Sequence, residues 1–304
     1  MNGMNKNEFM ETVRMHIADR WSLETMIRQV EKPNRTYTGM EVVRGLVSPV
    51  FDMDDMFWCY LRGASMDRIL CEIDRVIREE PLPDPELIAG INVWDTVRDR
   101  LTIKTINHTR NKDILKKLPH RRPAGDLAQI VYIICTEPGN SGSFAGCAVS
   151  DEMMETWGLD ADELFSAAEE TTLRNYPLKI GSINGEPEEG KESTPLFITS
   201  EMGVYGFSYV TFTSCIKQIR KYVGDGFFVI PSSIHEAIVI PEEMPASVED
   251  LRKMIREVNS AVVSDEDFLS DEPYYYSVET GFTDCTSMMA FDKCAAGVLP
   301  GIKK

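Results

Sequence analysis

The chain has 304 residues, with 32 Lys and Arg against 49 Asp and Glu, and a formal net charge of −17. Hydrophobic residues make up 43%, with only 20 Gly and 16 Pro, which excludes a disordered or fibrous chain and predicts an acidic globular protein of about two domains. The acidic balance disfavours nonspecific binding to nucleic acid or to an anionic membrane.

The segment Met1–Lys6 meets charge without the apolar core of a signal peptide, and no apolar run approaches the ~20 residues that span a bilayer. Seven cysteines, an odd number without CxxC spacing, fit reduced thiols in a cytoplasm. The expected location is therefore cytoplasmic, with no membrane partner.

In chain order, a short helix is predicted over Asn7–Ile17, and strand-like segments over Thr25–Val30 and Tyr37–Val43. Ser65 caps the clearest helix. Its residues Met66, Ile69, Leu70, Ile73, Val76 and Ile77 form one apolar stripe, and Pro81, Pro83 and Pro85 end it. Met53, Met56, Met153 and Met154 offer adaptable packing or a sticky surface.

From about residue 126 the pattern becomes strand, strand, helix, three times. The first unit pairs Ile130–Cys135 with Phe144–Val149, followed by a helix over Asp160–Arg174; Gly181–Thr194 reads as an exposed loop. The second pairs Leu196–Ser200 with Tyr205–Phe212 and adds a helix over Thr213–Val223. The third pairs Phe227–Ile230 with Ala237–Ile240. Its helix starts at Ser247, with Val248, Leu251, Met254, Ile255 and Val258 on one packing face. Tyr274–Tyr276 reads as an edge strand.

The expected fold class is α+β with antiparallel sheet. The expected organisation is a mainly helical region with a small strand pair over 1–122, a ββα-repeated domain over 123–282, and a C-terminal extension over 283–304.

Several stretches resemble an uncharacterised bacterial family. They are Asp99–Asn107, Leu118-Pro119-His120-Arg121, Thr156-Trp157-Gly158-Leu159, Phe228–Glu236, Met254–Asn259, Leu269-Ser270-Asp271 and Tyr274-Tyr275-Tyr276. That family is a domain of unknown function found mainly in anaerobic Gram-positive bacteria, and the resemblance covers roughly residues 8–282. Pro231–Glu236 is its most specific part. The resemblance implies a bacterial cytoplasmic protein and transfers no activity or catalytic residue.

Candidate chemistry is sparse. His235-Glu236 opens like HExxH, but Val239 replaces the second His, so a zinc protease is rejected. His235 and Glu236 at a hairpin turn suggest an acid–base pair, with Cys215 at a helix N-terminus as a nucleophile. Against this, Pro231–Glu236 reads as a turn shaped by Ser232 and Ser233, and isolated thiols more often pack than react. Cys135 and Cys147, equidistant from a turn near Ser141, would face each other across strands. Cys285 and Cys294, with Asp284 and Asp292, lack the tight spacing of a zinc site, so neither a metal nor a cofactor is expected.

Charge supplies the clearest local anomaly. Asp95–Arg122 holds nine basic and three acidic residues. Arg100 and Lys104, taken as one face of a strand, join Asn107, His108, Asn111, His120 and Arg121 as a candidate anion site. The plainer reading pairs these cations with acids of the same chain or of a second copy in a homodimer. No GxxxxGK[ST], GxGxxG or GxSxG motif is present, and no RNA- or DNA-binding signature appears. By elimination the chain reads as a non-enzymatic module that binds another protein through segment 95–122 or turn 231–236. The alternatives are a hydrolase built on His235, Glu236 and Cys215, and a phosphate- or RNA-binding protein using the basic segment.

Overall fold

The computed structural model describes residues 3–45, 47–79, 83–136, 145–182, 187–190, 194–244 and 247–285. The chain divides into two compact units, Met1–Ile91 with Cys135–Gly146, and Asn92–Ile134 with Cys147–Lys304. The division falls well before the expected boundary at 122. Two strands N-terminal to that point belong to a sheet of the second unit.

In the first unit, α1 (Lys6–Trp21) starts with a reciprocal cap: Asn5 accepts from the Glu8 N–H, and the Glu8 carboxylate accepts from the Asn5 N–H. Strands β1 (Thr25–Lys32), β2 (Arg35–Val42) and β3 (Val50–Asp52) form an antiparallel sheet in that order. Three helices follow, α2 (Met53–Leu61), α3 (Met66–Glu79) and α4 (Pro85–Ala89). The predicted stripe of α3 buries Ile69, Ile73 and Ile77 against Phe9, Val13 and Ile17 of α1 and Met40 and Val42 of β2. Beside this core, the buried Asp74 carboxylate accepts from His16 (2.9 Å), Trp21 (2.7 Å) and Arg20 (2.8 Å). Those donors outweigh its burial and hold its pKa below the usual value.

The second unit opens with α5 (Trp94–Val97) and a 3-10 turn, Arg98–Arg100. Arg100 therefore lies outside the strand and does not share a strand face with Lys104. Strand β4 (Leu101–Asn107) pairs antiparallel with β6 (Leu127–Ile134), whose other edge receives β5 (His120–Arg121) and β7 (Gly146–Ala148). The N–H of Val149 donates to Val131 O at 2.9 Å, which sets Cys147 opposite Ile133. The N–H of Cys135 donates to Ala145 O at 2.8 Å. Cys135 therefore faces Ala145, two residues short of the register that would oppose the two thiols. The apex of that hairpin, 137–144, lies outside the described residues.

Helices α6 (Asp151–Trp157) and α7 (Ala161–Asn175) follow, the latter with an Asp160–Glu163 capping box. Strand β8 (Leu178–Ser182) runs two residues, Gly181 and Ser182, into the expected loop, because it finds a partner in β9 (Leu196–Ser200). Gly206–Thr211 is a 3-10 turn, not a strand, so the second predicted ββα unit is a single strand, a turn and α8 (Thr213–Val223). Strands β10 (Gly226–Pro231) and β11 (Ala237–Pro241) pair as expected.

Helix α9 (Val248–Val262) buries Leu251 and Ile255 on Ile230 and Ile240. Met254 and Val258 of the expected packing face remain 41% and 42% exposed. Strand β12 (Tyr274–Ser277) is interior, because β13 (Gly281–Asp284) covers its outer edge. The presumed extension thus begins inside a strand; Asp292 and Cys294 lie outside the described residues. The six strands run β13-β12-β10-β11-β9-β8, all antiparallel, so the unit is α+β with two sheets.

Gly206 sits where backbones meet. Its N–H donates to His235 O at 2.9 Å, and a Cβ would collide with Thr199 Cα and His235 O, neither of which is a flexible side-chain end. Gly206→Ala is expected to destabilise the protein by about 3 kcal/mol, as overpacking against backbone does; urea unfolding of the two proteins checks it.

Candidate functional site

The basic segment and the 231–236 turn converge around β4. All seven residues of β4 are buried, including Lys104, which is 9% exposed. Its ammonium lies over the rings of Tyr205 (4.9 Å) and Tyr132 (5.5 Å), an arrangement that favours a cation electrostatically. The Tyr205 ring in turn stacks on His235, with centroids 5.7 Å apart. Tyr205 adopts φ 52°, a left-handed conformation costly for a bulky residue. It is held there from both sides. Its N–H donates to His235 Nδ1 at 3.3 Å, and the next N–H donates to His235 O.

His235 Nε2 is 3.1 Å from Asp267 Oδ1. Since Nδ1 accepts from a backbone N–H, this network assigns a neutral ring that donates through Nε2. Both nitrogens are then engaged, so in this arrangement the imidazole positions the turn and has no lone pair for a substrate proton. Burial lowers its pKa most; Asp267 opposes and Lys104 adds to the lowering. Glu236 accepts from Ser232 Oγ at 2.8 Å, while Ser233 Oγ accepts the His235 N–H at 3.0 Å.

Cys215 is 0% exposed on α8, burial pushes its thiol up to about 11, and its electrostatic neighbours include Ser214 and Glu169. Those of His235 are Asp267, Lys104 and Glu236. Cys285 is likewise buried, its thiol raised to about 12.

The remaining basic-segment residues serve different ends. Asn107 donates to Asp126 Oδ2 (2.7 Å) and Leu269 O (2.8 Å) and accepts from the Arg110 N–H (2.9 Å). Asn111 donates back to Asn107 O at 2.6 Å. Arg121 pairs with Asp162 at 2.9 Å over the Phe165 ring. Arg100, half-buried, ends its 3-10 turn. His108 and His120 do come together, with ring centroids 6.4 Å apart. Among the described residues no group of three or more His, Cys, Asp and Glu is arranged to hold a metal.

A second feature lies in the first unit, in a helix the periodicity did not reveal. Between α2 and α3 runs an open groove of about 700 Å³ lined by Met56, Trp58, Cys59, Ala64 and Ile69. Trp58 is 54% exposed with the Arg62 guanidinium 4.3 Å over its ring, and Leu61 beside it is 63% exposed. The acids at the rim have partners: Arg35 holds Asp52 (2.6 Å) and Asp55 (3.0 Å), and Arg75 holds Glu72 (2.6 Å). No ion pair reaches Arg62 or Arg68 among the described residues. The readable signal was Trp58 and Arg62 one helical turn apart.

Residues 6–278 match a family of unknown function, DUF5688. The chain belongs to this family. No curated protein and no solved structure matches it. No helix among the described residues is long and apolar enough to cross a membrane.

Two outcomes follow from these environments. The lowered pKa of His235 means that the unfolded chain takes up its proton first as pH falls. Stability that is full above 6.5 is therefore lost progressively below it. Chemical denaturation between about pH 7.5 and 5 should show this fall, and His235→Ala should flatten it while lowering stability at neutral pH by about 1–3 kcal/mol. In the native protein, exposed Cys59 and Cys71 should react with iodoacetamide while buried Cys215 and Cys285 stay unmodified, as read by peptide mass spectrometry.

Proposed function

We propose that the protein is a non-enzymatic, protein-binding module, and that its docking surface is the α2–α3 groove. The observation that carries this reading is the exposed Trp58–Arg62 pair beside an apolar groove. Tryptophan and arginine dominate interface hot spots because they combine large apolar area with directional polar contacts. The occupant that fits is a segment of another protein with apolar side chains for the groove and a carboxylate for Arg62 and Arg68. Charge complementarity supports that choice: the rim's own acids have ion-pair partners, whereas among the described residues no ion pair reaches Arg62, and Arg68 acts on Glu72 only at longer range.

A bacterial cytoplasmic setting goes with this reading, supported by six free thiols among the described residues and by the acidic composition. The satisfied His235 network and the buried Cys215 weigh on the same side, since a hydrolase would need a nucleophile and base in hydrogen-bond reach.

The test is capture from host lysate with the wild-type chain beside Trp58→Ala and Arg62→Glu, both at exposed positions. A stoichiometric protein should be retained by the wild type and lost by both variants. The affinity drop, measured on the purified pair, should be about 30-fold or more, as for a hot-spot residue. Thermal melting should barely move. A partner held equally by all three chains overturns the reading.

A further inference from the structure

The cations of Asp95–Arg122 are unevenly neutralised. Arg98 pairs with Asp95 (3.2 Å), Arg110 with Asp265 (3.3 Å), Lys116 with Asp113 (2.6 Å) and Arg121 with Asp162 (2.9 Å). Among the described residues no ion pair reaches His108, Lys112, His120 or Arg122. In a chain of net charge −17, four such groups gathered without an ion-pair partner among the described residues need a reason.

The connection from β4 to β5 gathers them. Asn107 and Asn111 pin its first turn, and the His108 N–H donates to Asp126 O at 2.6 Å. His120 donates from Nδ1 to Leu118 O at 2.9 Å, which leaves Nε2 as the nitrogen for a ligand. Its ring centroid is 6.4 Å from that of His108. The Arg122 guanidinium is steadied by a hydrogen bond to Gly125 O. Burial lowers the pKa of His108 most, and the positive charges of Arg122, His120 and Lys112 lower it further.

Asp126, a carboxylate that opposes them at His108, is engaged. It accepts from Asn107 Nδ2 (2.7 Å), Ser270 Oγ (2.9 Å) and the Tyr274 hydroxyl. Against the Lys112 ammonium and the Arg122 guanidinium its single negative charge leaves the cluster net positive.

We propose that His108, Lys112, His120 and Arg122 form a binding site for a dianionic phosphate group, free or as the ester of a small molecule. Two imidazoles, an ammonium and a guanidinium supply donors to several oxygens at once, the guanidinium as a planar fork. An anion among them favours the imidazolium forms, which turns each ring into a donor. Binding therefore takes up protons, and affinity rises as pH falls.

Sulfate probes this cleanly, because its charge stays constant where phosphate itself titrates. The chain has only four histidines, His16, His108, His120 and His235, so their ring proton resonances report the site directly. Titration of the full chain with sulfate should move His108 and His120 saturably and leave His16 and His235 in place. Binding should be about threefold or more tighter at about pH 6 than at about pH 8.

Lys112→Gln and His120→Gln, both at exposed positions, should each weaken it about threefold or more. Displacement of sulfate by glycerol phosphate more readily than by inorganic phosphate assigns the ester; the reverse order assigns the free ion. No saturation by about 50 mM, equal movement of all four histidines, or unchanged affinity in both variants overturns the proposal.

Discussion

The second unit depends on how the open edge of β4 is satisfied. Among the described residues β4 has a strand partner on one side only, yet every residue of it is buried. An unpaired strand edge removed from water must find other partners, because each orphaned amide costs free energy comparable to a lost hydrogen bond. Side-chain hydroxyls supply them. The Ile103 N–H donates to Thr172 Oγ1 of α7 at 3.1 Å, and Ile103 O accepts from Ser208 Oγ at 3.0 Å. The Thr105 and Ser208 hydroxyls are 2.8 Å apart. This is why Gly206–Thr211 lies against the strand as a tight turn: it presents hydroxyls where a strand would have presented its ladder.

That arrangement propagates outward. To bring Ser208 onto β4, the chain passes close to Thr199 and His235 at Gly206, and Tyr205 enters the left-handed region. Tyr205 then stacks on His235 and roofs Lys104, so three groups that look reactive on paper are parts of one packing solution. At the other end of β4, Asn107 ties Asp126, Leu269 and the 108–111 turn together. Lys104 and Asn107 are thereby drawn into the framework, while His108 and His120 stay at its margin with the charge that the framework does not absorb.

The first unit works by simpler means. Its core is a conventional interleaving of helix stripes with β2, centred on Phe9, Met40 and Ile73, all 0% exposed. With that demand met, α2 keeps Trp58 and Leu61 outside. A large aromatic left in water on a rigid helix lowers the cost of ordering on binding, since little conformational freedom remains to be lost there.

Local pattern determined a good deal of this protein. The 3.6-residue stripe of α3, the span of α7, the start of α9 at Ser247, the β1–β2 and β10–β11 hairpins and the α+β class were all legible, because each depends on neighbours a few residues apart. Only the tertiary structure decided which segments would be strands when their pairing was distant. β8 exists through β9, β12 is interior because it pairs with distant β10 as well as with β13, and Gly206–Thr211 turns because β4 needs hydroxyls on its edge. The same holds for the sites. The sequence marked His235, Cys215 and the basic segment by residue type, but burial, hydrogen-bond partners and the distances between charges arise from contacts made across scores of residues. Composition alone contains no record of which cation meets its acid and which does not.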